Sequence, residues 1–463
     1  MSDVDTSPPQ AARASLSQRV LRAGSWVLAG HVLSQILRLG SNLILARLLA
    51  PDDFGLMQVG YMVLTGLHLF SDMGLWQSVV RSPHGEEPRF LHTAWTVHVV
   101  RGFILAVVTL LLALALYVAD AQGWTPPDTV YNDPRLPWVI AAFAAMAIVI
   151  GLGSMRASLA ERHLQQRLLA RNELVAQVLT LTAMVAVAWY TRSFVALVVG
   201  ALLSAGIKTW MSHYWLPGPP DKLGIDRPAL HELIQFGKWV FVSSIVGYLA
   251  SNADRLLLGL LIDGTSFGLY SVAFQFANVM QVVGGMLGAK LAFSALSEVH
   301  RERDHDLPRV LVRLQWAYDA LIVTGAAMLA VAGPTVVGLL YDHRYDAAGW
   351  MLSALAVSVI GGRTQIVEHL CNAIGRPSYN TWQSGLRLVG TVGCILIGHQ
   401  IGGLHGAVWG VAVGQFVPWP LAWWIRHHHG MGVWRSDWLL LPTLGLGLGL
   451  GWALVALIGI IKA

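Results

Sequence analysis

The strongest constraint on this chain is that it contains itself twice. Residues from Gly24 to Phe54-Gly55-Leu56 lie without a gap on Gly237 to Phe267-Gly268-Leu269, at a constant offset of 213 (268 minus 55). Trp26 falls on Trp239, Val27 on Val240, Leu43 on Leu256, Leu45 on Leu258 and Leu48 on Leu261, and Pro51 meets Gly264 at the same turn. An internal repeat in an apolar chain is the pattern of a transporter made of two halves with the substrate path between them.

The solvent follows from composition. With 55% hydrophobic and only 12% charged residues, against roughly 25% charged in soluble domains, the chain reads as an all-α integral membrane protein. Apolar stretches long enough to span hydrocarbon as helices fall near 22–48, 55–80, 91–118, 137–156, 170–190 and 193–215. They recur near 237–262, 267–294, 308–332, 347–371, 381–399 and 402–424, and a last one lies near 437–461. The expected organisation is a cytoplasmic segment 1–21, a six-helix bundle 22–215, a cytoplasmic linker 216–236, a second bundle 237–424, and a loop with one extra transmembrane helix over 425–463.

Six is even, so the second repeat enters the membrane from the same side as the first and the repeats are parallel. Lys and Arg are retained on the cytoplasmic side. With the N-terminus inside, that side holds Arg13, Arg19, Arg22, Arg81, Arg89, Arg156, Arg162, Arg167, Arg171 and many later basic residues. The other side holds only Arg47, Arg135, Arg192, Arg344 and Lys462. The net charge of +5 is therefore an orientation signal rather than a nucleic-acid footprint. The polar start lacks the apolar core and cleavage site of a secretory signal. Cys371 and Cys394 alone imply neither a disulfide framework nor a metal site.

A charge at the bilayer centre costs roughly 2.5–3.5 kcal/mol on insertion scales, so each one is a candidate functional group. His31, Gln35, Arg38 and Asn42 share one face of the first helix, and the repeat places Ser244, Tyr248, Ser251 and Arg255 on the same stripe of the seventh. Each half thus carries a deep arginine. The second helix adds Tyr61, Thr65, His68 and Asp72, and the eighth adds Asn278 and Gln281; Arg101 and His31 both lie at a depth that suits pairing with Asp72. Asp319, Arg363, Glu368 and Arg387 are further deep charges, and Asp254 is the natural partner of Arg255. Lys290, Arg313 and Arg387 lie near enough to the boundary to snorkel. The histidines are more often helix contacts than proton carriers. Gly445, Gly447, Gly449 and Gly451 suit close helix packing rather than a phosphate loop. His427-His428-His429 reads as a solvated loop, and no nucleophile–base arrangement, nucleotide motif or cofactor site stands out.

The chain resembles the polysaccharide flippase branch of the multidrug/oligosaccharidyl-lipid/polysaccharide exporter superfamily, which includes Wzx-type O-antigen flippases and exopolysaccharide exporters. The residues that carry the resemblance are Gly24-Ser25-Trp26, Ala46-Arg47-Leu48-Leu49-Ala50-Pro51-Asp52-Asp53-Phe54-Gly55 and Phe70-Ser71-Asp72-Met73-Gly74-Leu75. In the second half they are Asn252-Ala253-Asp254-Arg255-Leu256-Leu257-Leu258-Gly259 and Phe267-Gly268-Leu269-Tyr270. The resemblance implies two parallel-repeat six-helix bundles, V-shaped around a central cavity, with most relatives carrying two extra C-terminal helices where this chain has room for one.

It also implies alternating-access transport of an undecaprenyl-diphosphate-linked oligosaccharide across the bacterial inner membrane, alongside membrane lipid and polysaccharide polymerase machinery. Arginine matches phosphate oxygens with a planar fork of donors. Arg38 and Arg255, with Arg101 and Arg363, are the expected diphosphate or cavity residues. His31, Gln35, Asn42, Tyr61, His68, Tyr248, Ser251, Asn278 and Gln281 are the expected sugar lining, and Asp72, Asp254, Asp319 and Glu368 are candidates for coupling or charge pairing. Two alternatives remain at this point. A cation-coupled drug exporter of the same superfamily would call for cavity acids, and a polytopic glycosyltransferase or polymerase would call for a large outer loop.

Overall fold

A computed structural model describes residues 16–462 apart from 71–74, 164, 289–291, 303, 377, 432–436 and 439. Among these the chain is helical, and the one β-bridge pairs Thr129 with Asp263. In order, the helices are α1 (Leu16–Leu48), α2 (Pro51–Phe70), α3 (Leu75–Arg81), α4 (Pro88–Ala121), and α5 (Leu136–Gly151) with α6 (Arg156–Arg162). They continue with α7 (Gln166–Thr191), α8 (Val195–Tyr214), α9 (Arg227–Leu261) and α10 (Gly264–Leu287), which the shorter α11 (Phe293–Glu302) follows. Then come α12 (Leu307–Tyr318) running through a π-turn into α13 (Thr324–Leu340), α14 (Asp346–Gly361) with α15 (Gln365–Ala373), α16 (Ser378–Gly414), α17 (Trp419–His428) and α18 (Leu440–Lys462).

All thirteen expected spans fall on a helix or a broken helix, but seven described helices meet a length-and-hydropathy test for crossing a membrane, or eight if the pair α5–α6, bent by 59°, counts as one. Two physical reasons account for the gap. The long α16 is two antiparallel arms: Gly402 and Gly403 leave helical geometry, Gly403 with φ +54°, and the arms then run back along each other. A Cβ on Gly398 would lie 2.1 Å from the carbonyl oxygen of Gly406, and one on Gly410 would lie 2.3 Å from that of Cys394, so the arms touch backbone to backbone. The other helices that fall short include α1, α2, α9 and α10, which carry the polar stripes.

Helix starts also move outward from the hydrophobic boundaries. α9 begins at Arg227, ten residues before the expected 237, because Asp226 caps it by accepting from the Ala229 amide at 3.2 Å and a proline follows at the first turn. The repeat-equivalent turns before α2 and α10 are capped differently. Asp53 accepts from the Ala50 amide at 3.3 Å, whereas Asp263 accepts from that of Ser266 at 2.8 Å.

The repeat becomes geometry where α2 meets α10. A Cβ on Gly55 would lie 3.0 Å from the Gly268 amide nitrogen, and one on Gly268 would lie 1.9 Å from the carbonyl oxygen of Pro51. The two glycines are repeat equivalents (268 minus 55 is 213), so the axis relating the halves passes between them. Two cross-half bonds end on repeat-equivalent positions, although their donors are not equivalent. The Asn42 amide on α1 donates to Gln275 on α10, and the Tyr248 hydroxyl on α9 donates to the Met62 carbonyl on α2 at 2.7 Å; 275 minus 62 is again 213.

At the sparsely charged membrane face the halves are tied further. The Arg344 guanidinium donates to the Ala46 and Leu49 carbonyls at the end of α1, at 2.9 and 3.1 Å, and the Tyr345 hydroxyl joins it on Leu49 at 3.2 Å. Elsewhere small residues set the approach. Gly102 of α4 and Gly151 of α5 meet with room for no side chain, and Gly447 and Gly451 seat α18 on α13 against Ala327 and Val331. Gly445 and Gly449, on the other side of α18, face open space.

Candidate functional site

The polar stripe of α1 divides among three surroundings. Ser34 donates to Gln177 of α7 at 2.6 Å and Gln177 returns a bond to the Ser34 carbonyl at 2.8 Å, which fixes this face of α1 against α7. Gln35 is buried beside it, and Asn42 reaches α10. Arg38 is exposed, with its carbonyl taking the Ser41 hydroxyl at 2.9 Å. It sits ten residues, about 15 Å at 1.5 Å per residue, from the end of α1 at the sparsely charged face. The His31 side chain and all of Asp72 lie outside the described residues. On α2, Tyr61 is 41% exposed against Phe143, and His68 receives Arg101, which donates to the His68 carbonyl at 2.9 Å and lies 3.3 Å from its Nδ1.

The second half encloses a cavity of about 820 Å³ between α9, α10, α12, α14, α15 and both arms of α16. Ser251, Asp254 and Gln281 of the expected set line it, together with Arg387. Arg255 is held at its edge: it donates to the Ser251 carbonyl at 2.8 Å, lies 3.8 Å from Asp254 and stacks 4.2 Å over the ring of Phe274, a wall residue. Asp254 is in turn fixed by the Tyr270 hydroxyl at 2.6 Å. Arg387 pairs with Glu368 and donates to Thr364 at 3.2 Å. The remainder of the wall is amides and hydroxyls, among them Asn380, Gln365, Gln415 and Thr391, with aromatic area from Tyr318.

Arg363 is turned away from this cavity. Its guanidinium forks onto Asp319 at 2.8 to 3.0 Å and reaches Asp437 at 3.1 Å, which also receives Arg426 at 2.9 Å. Asp319 is fully buried and both arginine side chains are under a tenth exposed. This quartet joins α12, the turn after α14, α17 and the segment before α18, and its partners satisfy the charge that burial would otherwise penalise. A smaller, mostly apolar cavity of about 350 Å³ lies against it, lined by Arg363, Arg426 and Trp423.

Several residues of the site were not singled out from sequence, among them the wall residues Asn380, Gln365, Gln415, Thr391 and Tyr318. Gln275 extends the Asn278–Gln281 row by three residues toward the start of α10, a spacing that could have marked it. Phe274 and Tyr270 look apolar or neutral in sequence and matter only because Arg255 and Asp254 rest on them. Asn278 itself stays half-buried on α10 outside the cavity wall.

Residues 44–349, 306 of 463, match the family described as "Polysaccharide biosynthesis protein". Among curated proteins, the chain is 22% identical to the lipopolysaccharide biosynthesis protein WzxC of Escherichia coli over 94% of its length and 88% of that protein's. It is 23% identical to the succinoglycan biosynthesis transport protein ExoT of Rhizobium meliloti over 79% and 71%. Among solved structures, an inward-facing multidrug resistance MATE transporter of the MOP superfamily superposes with a TM-score of 0.67 at 15% identity, covering 86% of this chain and 94% of its own. The lipid II flippase MurJ, in an inward closed conformation, gives 0.65 at 10% identity, covering 90% of each. These likenesses establish the transporter fold, and the chain is a multi-pass membrane protein of the polysaccharide biosynthesis protein family.

Proposed function

We infer that the protein is a flippase that carries an undecaprenyl-diphosphate-linked oligosaccharide from the inner to the outer leaflet of the bacterial cytoplasmic membrane. The observation that carries this reading is a membrane-embedded cavity of about 820 Å³ walled by amides, hydroxyls and aromatic rings, with two arginines at its margin. Such a wall suits a hydroxyl-rich solute with an anionic head, and the family and the names of its relatives agree with it.

The N-terminus lies in the cytoplasm, so the basic face is the inner one. Arg38 of the first half holds the diphosphate through forked hydrogen bonds, while Arg255 of the second half stands at the cavity edge beside Asp254. Gln35, Asn42 and Gln281 contact sugar hydroxyls, and the lipid tail stays in the bilayer. The halves are tied at the outer face by the Arg344 and Tyr345 contacts and by the glycine crossing, which supports an inward-open resting state. Transport then requires those outer contacts to part, after which a polymerase outside the membrane takes the product.

A cation exporter would need unpaired cavity acids, whereas Asp254 is held by Tyr270 and Arg255, and Glu368 by Arg387. The protein itself supplies no bond-making chemistry in this reading. The test is the leaflet of the lipid-linked oligosaccharide in spheroplasts, read with a membrane-impermeant sugar-binding probe. Loss of outer labelling without the protein, and in the double variant Arg38→Ala with Arg255→Ala, is expected. Unchanged labelling in the absence of the protein overturns the reading.

A further inference from the structure

We propose that the cavity of the second half is a binding subsite for the uncharged, hydroxyl-bearing sugar rings of the substrate, separate from the place of the diphosphate. This rests on the flippase reading and divides its substrate between two places. Three features of the wall carry it.

The first is charge. Asp254 stands beside Arg255 and Glu368 pairs with Arg387, so the two cationic side chains near the cavity are each matched by a carboxylate. A diphosphate placed here would meet no net positive charge and would have to displace both acids. Arg38, exposed on α1 with no ion pair within reach among the described residues, has no such competitor.

The second is the set of hydrogen-bonding groups left over. Among the wall's side chains, Arg387 Nε, Asn380 Oδ1 and Thr391 Oγ1 are buried without a hydrogen-bond partner. The rest of each side chain is engaged or fixed: Arg387 on Glu368 and Thr364, and the Asn380 amide nitrogen on the Glu368 carbonyl and on Asn372 at 2.8 Å. Left over are one donor, one acceptor and one group that can be either. A phosphate or carboxylate accepts only, and a quaternary or primary ammonium at best donates. A sugar hydroxyl or acetamido group does both, so after a small side-chain rotation it can satisfy all three, and unmet buried groups of this kind cost about 1–3 kcal/mol each.

The third is shape. Tyr318 and Phe274 supply flat apolar area for the C–H faces of pyranose rings, and the volume, about 820 Å³, holds more than one ring. The wall runs from Asn380, two residues into α16, to Thr391, about 16 Å at 1.5 Å per residue, so the cavity reaches from the basic face toward mid-membrane. A glycan attached to a diphosphate at Arg38 and facing the inner side can lie along it.

The experiment uses the full chain in nanodiscs and two probes: the free oligosaccharide released by mild acid from the producing cell's lipid-linked pool, and sugar-free geranylgeranyl diphosphate. Gly385 lines the cavity and a Cβ there would meet nothing within 4 Å, so Gly385→Leu projects into the cavity without a backbone clash. Binding of the oligosaccharide is expected to weaken about tenfold in Gly385→Leu and severalfold in Thr391→Val, with geranylgeranyl diphosphate binding unchanged in both; Arg38→Ala is expected to do the reverse. Should one variant fold poorly, the other decides. Oligosaccharide binding that survives both substitutions, or a parallel loss of both probes, overturns the subsite. A wild-type protein that binds the diphosphate but no oligosaccharide also overturns it while leaving the flippase reading intact. Binding of neither probe, with binding of a cationic dye instead, overturns the flippase reading itself.

Discussion

Two sets of arginine–carboxylate pairs lie within the second half and behave differently. In the quartet of Arg363, Asp319, Asp437 and Arg426, the forked pair is buried, every carboxylate is shared by hydrogen bonds, and four chain segments converge. At the polar cavity, Arg255 and Arg387 each have one acidic neighbour, one main-chain or hydroxyl acceptor, and an Nε without a hydrogen-bond partner. Charges balance in both places. What differs is burial and connection: Arg363 and Asp319 are no more than 6% exposed and tie several segments, whereas the cavity pairs are 13–21% exposed beside open volume, and that separates a structural arginine from one within reach of a ligand.

The largest effect should come from breaking the closed set. Asp319→Ala removes the fully buried partner of the Arg363 guanidinium, and a loss of about 3–5 kcal/mol of stability is expected. It would be read as a fall in thermal unfolding temperature and in the yield of folded protein. Replacing the pair together, Asp319→Leu with Arg363→Met, should restore most of it, because no buried charge is then stranded. A double variant as unstable as the single one would show that the pair does more than satisfy its own charges.

The complementary change at the cavity is Arg387→Gln. It should leave the unfolding temperature within a few degrees while lowering transport about tenfold, read as outer-leaflet labelling of the lipid-linked sugar. A stability loss as large as that of Asp319→Ala would erase the distinction between the two sets.

Arg344 tests the middle ground, since its side chain is 45% exposed and its partners in the other half are main-chain carbonyls. Arg344→Ala should cost only about 1–2 kcal/mol yet raise the labelling of a cysteine placed at Leu49 by an impermeant maleimide. The smallest effect concerns acid. The hydrogen bond from Arg344 holds the Asp342 carboxyl below its ordinary range. A depressed carboxyl contributes above its unfolded value of about 3.9 and loses that contribution as pH falls through its lower folded value. The closure between the halves at Arg344 should therefore be indifferent to pH between 8 and 5 and loosen only under about pH 4, by the same maleimide assay.

These contrasts show how far sequence could reach. The spans were legible because hydrocarbon imposes length and apolarity, and the repeat was legible because its offset of 213 never breaks between Gly24 and Leu56. The fate of Arg363 was not, since its partners lie 44 and 74 residues away and no local pattern records them. Arg255 was visible on its stripe, and the cavity wall opposite carries a stripe of its own, Asn380, Ser384, Arg387 and Thr391 of α16 at steps of four, three and four, a spacing that says they share a face but not that the face meets α9. Only the reversal at Gly402 and Gly403 brings Gln415 back beside them.

The contact between Gly55 and Gly268 bears on motion as well as symmetry. Helices that mesh through side-chain ridges and grooves settle at preferred crossing angles, because turning one against the other lifts ridge over ridge. Here two rods cross on bare backbone, so the joint has no teeth. A small swivel at this crossing, at one face of the membrane, is multiplied along the lengths of α2 and α10 into a wide swing at their far ends.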